Sequence, residues 1–356
     1  VSVNPVIGHD ENGNAIRLKE QIETFYREHP DEKPFGEDPW EWKNIVRHWL
    51  TSDNADLRCI PTDEIHIPVD KEAVRRSGML IPQGTDIPDT MVIRLKGRGY
   101  LTRSSLMLID LISSCNWKRP LYVASTMRIE EYLDISRNLV QEGLAQRIVP
   151  YDAVAAGAAI DTDKTYRNLM ERFRYGGLDN PDLYLDETNI RMVLSLRRIL
   201  TETAEQLYRQ GDSLRARRLL DRCCREIQSP VVQTDKYGYS DRIGILYQLL
   251  GETSQGLRFW TDWYNDRAQY ADWYLTLTPE QLLACDEELV RTLYAQSDGL
   301  QNALRSGMPV DEKTIARYLH TAQTARLKLQ QCGSRYTKFI DELTAPFSET
   351  PGDTIH

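Results

Sequence analysis

The chain contains 356 residues, of which 41% are hydrophobic and 27% charged. At roughly 150 residues per domain, this length predicts about two domains with a sizeable core. The formal net charge of -9 at pH 7 gives no overall electrostatic footprint for nucleic acid, and no uncharged apolar run reaches the ~18–20 residues of a membrane-spanning helix.

Residues 1–60 contain turn signals around two amphipathic segments, Ile16–Tyr26 and Trp40–Leu50. In the second segment, Trp42, Ile45 and Trp49 recur at helical spacing, which predicts a helix with one apolar face. We therefore expect residues 1–60 to form an N-terminal extension of helices and loops.

Residues 61–160 are predicted to form a small α/β domain. The alternation of apolar and polar residues over 65–69 indicates a strand. The segments that follow predict strand, helix, strand, helix and strand in that order: Met91–Leu95, Leu101–Cys115, Leu121–Ser125, Ile129–Glu142 and Leu144–Val149. A βαβαβ order is typical of parallel strands joined by crossover helices.

Residues 161–350 show helical periodicity only, with Asp186 as a candidate N-cap. Two segments match the small, large and glycine spacing of the tetratricopeptide repeat, and we expect them to form helical hairpins. The later periodic segments, 279–294 and 315–343, each predict one helix. The matching positions are Ala204, Leu207, Gly211, Ala216, Leu220 and Cys223, and then Gly244, Tyr247, Gly251, Gly256, Trp260 and Trp263.

The candidate binding residues cluster around the predicted strands of the α/β domain. Trp117 and Arg119, beside Lys118, have side chains that suit a sugar ring or an anion, although a helix end explains the same residues. Lys96, Thr126, Arg128 and Asp152 follow predicted strands, where ligands of open α/β sheets bind. Position at the end of a predicted strand is the only argument for these four residues.

No catalytic site, metal site or cofactor site is predicted. The six cysteines are scattered without a CxxC pair, and no histidine lies at metal-ligand spacing from them. No histidine lies near a serine or cysteine in a nucleophile motif. We therefore expect no catalytic residue, no bound metal and no cofactor in this segment.

Five phrases in a fixed order resemble the C-terminal soluble region of a bacterial family of polytopic membrane proteins related to protein O-mannosyltransferases, long described only as a domain of unknown function. The resemblance covers about residues 65–230. The phrases are VDKEAVRRSGM (69–79), IPDTMVIRLKG (87–97), NWKRPLYVA (116–124), LVQEGLAQRIVP (139–150) and NLMERFRYGGLDNPDLYLDETNIRM (168–192).

This resemblance implies a membrane domain N-terminal to the soluble part, which resembles the enzymes that use lipid-linked sugars and would carry the catalytic machinery. It also implies a periplasmic location. The chain begins at Val1 rather than Met, and we expect it to be a piece of such a longer protein. Unpaired cysteines fit this location only if burial protects their thiols from oxidation.

We therefore expect a non-catalytic module of a membrane glycosyltransferase that engages an acceptor protein, a peptide or its own membrane domain. One alternative is a carbohydrate-binding or carbohydrate-active α/β domain that uses Trp117 and Arg119. Another is a purely structural scaffold for the membrane domain.

The cysteine pattern predicts mostly free thiols, because small apolar residues on helix faces account for the positions of most of the cysteines. Thiol titration of the denatured, unreduced protein should detect about six groups per chain. A count of about two or fewer would show that disulfides form instead.

Overall fold

The computed structural model describes residues 1–95, 97–124, 133–180, 182–227 and 239–347. It divides into two compact units, Val1–Thr165 and Tyr166–His356. The first unit mixes short strands with helices, and the described residues of the second are helical apart from turns and loops. The predicted fold class, a mixed α/β region followed by an all-helical region, is confirmed.

Strands and helices alternate irregularly up to residue 167, and the predicted helix over 40–50 continues as a π-helical turn over Val46–Leu50. The strands are β1 (Val6–His9), β2 (Ala15–Arg17), β3 (Glu64–Pro68), β4 (Thr90–Arg94), β5 (Tyr122–Ala124), β6 (Leu139–Gln141) and β7 (Ala145–Ile148). The helices are α1 (Leu18–Glu28), α2 (Trp42–Ile45), α3 (Lys71–Arg76), α4 (Arg103–Cys115) and α5 (Thr162–Arg167).

The prediction of parallel strands was wrong. Among the described residues every named strand pairs antiparallel, in the sheets β1-β2, β3-β4 and β5-β7-β6. A parallel pair requires a crossover that returns to the same sheet. Here α4 leads from β4 into a different sheet, so the strand–helix–strand order does not produce a βαβ unit.

The predicted helix over residues 129–142 was also wrong where the structure describes it. Residues 129–132 lie outside the described residues, and Leu139–Gln141 form β6. A tight connection returns the chain from β6 to β7, with Gly143 at a φ of 106° and the Glu142 N–H donating to the Ala145 carbonyl. Pairing with β7 and burial of its side chains override the helical spacing of this segment.

The core of the first unit forms where the predicted alternation places it. Ile65 and Ile67 of β3 and Met91 and Ile93 of β4 are all buried, because successive side chains of a strand point to opposite faces. The apolar face of α4 packs in the same cluster. Residues 1–60 also join this unit, since the Val3 N–H donates to the Gly99 carbonyl.

The second unit contains helical hairpins at the two segments with repeat spacing. Gly211 and Gly251 occupy the turns with φ angles of 83° and 85°, which favour glycine. Asp186 caps its helix as predicted, accepting from the Asn189 N–H. The helices are α6 (Glu187–Arg209), α7 (Ser213–Glu226), α8 (Tyr239–Leu249), α9 (Thr253–Tyr274), α10 (Pro279–Ala284), α11 (Asp286–Arg305), α12 (Glu312–Gln331) and α13 (Thr337–Thr344).

Two helices predicted as continuous are interrupted. The segment over 279–294 is divided at Cys285 between α10 and α11, and the final segment is divided between α12 and α13. Gly333, at a φ of 75°, lies in the second interruption. Spacing alone does not reveal these breaks, because the apolar residues on both sides remain in one core cluster.

Helices α8 and α9 approach through glycine. A Cβ atom at Gly256 would lie 2.6 Å from the Gly244 carbonyl oxygen, and one at Gly244 would lie 2.8 Å from the Gly256 carbonyl oxygen. Both distances are shorter than carbon–oxygen contact allows, so the two backbones can touch only because neither residue has a side chain.

Replacing Gly256 with alanine should lower the free energy of unfolding by about 1–3 kcal/mol, since the forced separation outweighs the gain in helix propensity. Thermal unfolding followed by far-ultraviolet circular dichroism measures the change. Gly99→Ala is the control, because a Cβ there meets nothing within 4 Å. Equal stability of the two variants would contradict the close approach.

Candidate functional site

The structure does not assemble the binding residues predicted from sequence into one site. Lys96, Thr126 and Arg128 lie outside the described residues. Trp117 is 3% exposed, and its indole Nε1 donates to the Pro68 carbonyl at 3.0 Å. The indole therefore presents no face to a sugar ring in this structure.

The end of α4 explains the burial of this tryptophan. Asn116 and Trp117 have positive φ angles of 44° and 58°, which turn the chain sharply after the helix and direct the indole into the core. Left-handed backbone is costly for a bulky residue, and burial of the indole offsets that cost. Lys118 and Arg119 follow on the surface, and Arg119 makes no ion pair or hydrogen bond with the described part of the chain.

A polar cleft of about 410 Å³ lies elsewhere in the first unit, within the size range of ligand sites. One wall is formed by β4 and the loop before it, and the other by residues 134–138 and 150–152. Asp152, which was expected at a strand end, lines this second wall. The lining residues are Asp86, Pro88, Thr90, Met91, Val92, Arg94, Asp134, Arg137, Asn138, Pro150, Tyr151 and Asp152.

The charges of the cleft are partly satisfied within its own wall. Arg137 Nε donates to Asp152 Oδ2 at 2.7 Å. The hydrogen bond from the Ala155 N–H, and to a smaller extent the Arg137 guanidinium, hold the pKa of Asp152 below its usual value. Asp86, Asp134 and Arg94 are exposed and form no ion pair with any described residue. The cleft therefore offers two carboxylates and one guanidinium to a ligand.

A buried ionic cluster lies in the same unit, centred on Glu142, whose side chain is 2% exposed. Lys164 Nζ lies 2.8 Å from Glu142 Oε1, the Tyr122 hydroxyl donates to Oε2 at 2.6 Å, and Arg147 Nη1 lies 3.7 Å from Oε1. Lys164 Nζ also lies 3.5 Å from Asp161 Oδ2. A carboxylate at this depth requires such partners.

The donors of this region also hold the loop over residues 77–80, which leads towards β4. Arg147 Nη2 donates to the Ser77 carbonyl at 3.0 Å, and Lys164 Nζ donates to the Gly78 carbonyl at 3.1 Å. The Tyr151 hydroxyl donates to the Leu80 carbonyl. Tyr151 lines the second wall of the cleft. Its bond to Leu80 therefore connects that wall to the loop that leads into β4, which lines the first wall.

Burial raises the pKa of Tyr122 and that of Tyr151 to about 12. The negative charges of Glu142 and Asp161 contribute to this rise in pKa, and the Arg147 guanidinium opposes it. Both phenols therefore stay protonated at neutral pH and act as hydrogen-bond donors.

Sequence reasoning missed the cleft and the ionic cluster. Glu142, Arg147 and Lys164 are separated along the chain and match no motif. The one signal was Arg147, a charge inside an apolar strand of the phrase LVQEGLAQRIVP, because a charged residue at a buried strand position requires a partner. The identity of that partner depends on β7 pairing with β5 and β6.

Within the described residues, no group of three or more His, Cys, Asp or Glu side chains is arranged to bind a metal ion. Nor does any described helix combine the length and apolar character needed to cross a membrane. The six cysteines are free thiols, as predicted.

Residues 9–165 match the family model of the TMEM260-associated domain 2. The matched range ends at Thr165, the last residue of the first compact unit. TMEM260 is a membrane-associated protein. No curated protein and no solved structure matches the chain.

Replacing Glu142 with glutamine should lower the free energy of unfolding by about 2–4 kcal/mol, because Arg147 and Lys164 lose their shared counter-charge. Urea denaturation measures the loss. Glu28→Gln is the matched control, since Glu28 is exposed, and should change stability by less than about 0.5 kcal/mol. Equal stability of the two variants would show that the cluster does not depend on this charge.

Proposed function

We propose that this chain is a non-catalytic, extracytoplasmic accessory module of a membrane-embedded glycosyltransferase resembling the protein O-mannosyltransferases, and that it engages the acceptor protein. The observation that carries the proposal is the match of residues 9–165 to the TMEM260-associated domain 2. That match relates the first unit to a membrane-associated protein.

The quoted phrases support the glycosyltransferase part of the proposal. Four of the five fall within the matched range, between residues 69 and 150. In the family that they resemble, sugar transfer belongs to the membrane domain, so the role left for this module is to position what the membrane domain acts on. The helical hairpins of the second unit add support, because stacked hairpins present surfaces suited to protein partners.

Thiol burial makes the extracytoplasmic location chemically reasonable. Oxidation and disulfide exchange require the thiolate. Burial raises the pKa of Cys224 to about 11 and raises the pKa of Cys223 as well. These two adjacent cysteines therefore stay protonated at neutral pH, which slows the oxidation of their thiols.

The alternatives lose support to different degrees. Sugar binding through Trp117 and Arg119 lacks its stacking surface, because the indole is packed in the core. A purely structural scaffold requires only that the module stabilise the membrane domain, and a transfer assay separates it from acceptor engagement.

The test is sugar transfer from a lipid-linked donor to protein acceptors by the full-length parent, by the parent without this segment and by the segment alone. We expect no transfer by the segment alone. The truncated parent should keep its stability in detergent but should use protein acceptors less well than a short acceptor peptide, because only the protein acceptors need the module.

Two outcomes would contradict the proposal. Transfer by the segment alone would place catalysis within it and direct attention to the carboxylates of the cleft. A truncated parent that loses stability while its preference among acceptors is unchanged would identify the segment as a scaffold.

A further inference from the structure

The outer edge of β4 has unpaired backbone groups. The Val69 N–H donates to the Asp89 carbonyl, and the Leu95 N–H donates to the Asp63 carbonyl. In the antiparallel register of β3 and β4, these two bonds define the alternate pairs whose backbone groups face each other. The N–H and C=O groups of Thr90, Val92 and Arg94 consequently point away from β3, and no described residue bonds to them.

The opposite edge of this two-stranded sheet is covered. The His66 N–H donates to the Trp40 carbonyl at 2.9 Å, and Glu41 bridges to His66 in parallel fashion. His66 lies opposite Val92 in the register. The backbone N–H and C=O of His66 therefore point away from β4, just as those of Val92 point away from β3. Within the described part of the chain, the fold therefore covers one edge with its own backbone and leaves the other edge unpaired.

The open edge lies in the polar cleft, whose lining includes Thr90, Val92 and Arg94. Four residue steps from Thr90 to Arg94 span roughly 14 Å of strand, with an outward donor and acceptor at every second residue. Lining residues from 134–138 and 150–152 share this cleft with the edge, whereas the usual hazard of an open edge is pairing with a whole sheet. A single extended chain is the partner that fits this geometry.

The charged side chains of the cleft favour one kind of extended peptide. Arg137 is engaged by Asp152, which leaves the carboxylates of Asp86 and Asp134 against the guanidinium of Arg94. The cleft therefore has a net negative charge available to a ligand, and a lysine or arginine side chain on the bound strand would compensate it.

We propose that the outer edge of β4 binds an extended peptide segment with at least one basic side chain, which adds as a further strand to the β3-β4 sheet. This inference rests on the proposed function, because it names the part of an acceptor protein that the module engages. Backbone hydrogen bonds supply the affinity, and the cleft carboxylates supply the preference for basic segments, as in other strand-addition sites.

The test uses the full chain, immobilised and exposed to a display library of short random peptides. Enriched sequences should contain lysine or arginine within an otherwise extended, proline-poor segment. Val92→Pro removes the outward N–H without removing a bond to β3, because within Thr90–Arg94 the residues whose backbone groups face β3 are Met91 and Ile93. This variant should weaken binding of the enriched peptides roughly tenfold.

Val92→Thr is the matched control, because it keeps both the N–H and the β-branched side chain, and its affinity should equal that of the wild type. The double variant Asp86→Asn, Asp134→Asn should weaken the binding of basic peptides severalfold and leave the binding of neutral peptides unchanged.

If circular dichroism shows that Val92→Pro does not fold, hydrogen exchange of the wild-type chain decides instead. Bound peptide should then slow exchange at the amides of Val92 and Arg94.

Three results would overturn the inference. These are enrichment no better than on a blank surface, unchanged affinity of the enriched peptides for a folded Val92→Pro variant, and exchange protection of β4 by a free sugar such as methyl mannoside but by no peptide. None of these measurements involves sugar transfer. Failure here therefore leaves the accessory role standing, and failure of the transfer assay leaves the peptide result standing.

Discussion

The first unit depends on one buried negative charge. The Glu142 carboxylate lies in the connection between β6 and β7, and its partners come from three other places: Tyr122 on β5, Arg147 on β7 and Lys164 on α5. An isolated carboxylate cannot be buried at this depth without large cost, so these segments must come together for any of them to reach its final position. Such a cluster contributes less to net stability than apolar packing would. We infer that its value here lies in specifying which strands and loops are neighbours.

Side chains of the same region also hold the loop that leads to the cleft. Arg147 and Lys164 also donate to the carbonyls of Ser77 and Gly78, and the Tyr151 hydroxyl donates to that of Leu80. The loop that carries these carbonyls precedes β4, whereas Tyr151 and its neighbours form the opposing wall. The chain that enters one wall of the cleft is thereby bonded to Tyr151 of the other wall, and to Arg147 and Lys164, which are not among the lining residues.

Local signals in the sequence predicted much of the fold but little of the site. The alternation of Ile65 and Ile67 and the capping Asp186 depend on neighbouring residues, and both predictions are confirmed. Strand direction depends on which sheet a crossover enters, and β6 is a strand because of its pairing with β7. The cleft and the Glu142 cluster combine residues far apart in sequence, so no short pattern identifies them. Trp117 carries a general lesson: an aromatic residue beside two cations resembles a sugar site, yet here it forms part of the core.

The alternation that exposes Thr90, Val92 and Arg94 has a consequence for molecular recognition. A strand added to this edge that slips by two residues makes the same pattern of backbone bonds and keeps the same face towards the cleft, because the side-chain pattern of a strand repeats every two residues. A slip by one residue would exchange the two faces. On the proposed mode of binding, the edge recognises the periodicity and charge of a segment rather than one fixed sequence. On this proposal one site serves many acceptors, and its selectivity is that of a class of segments.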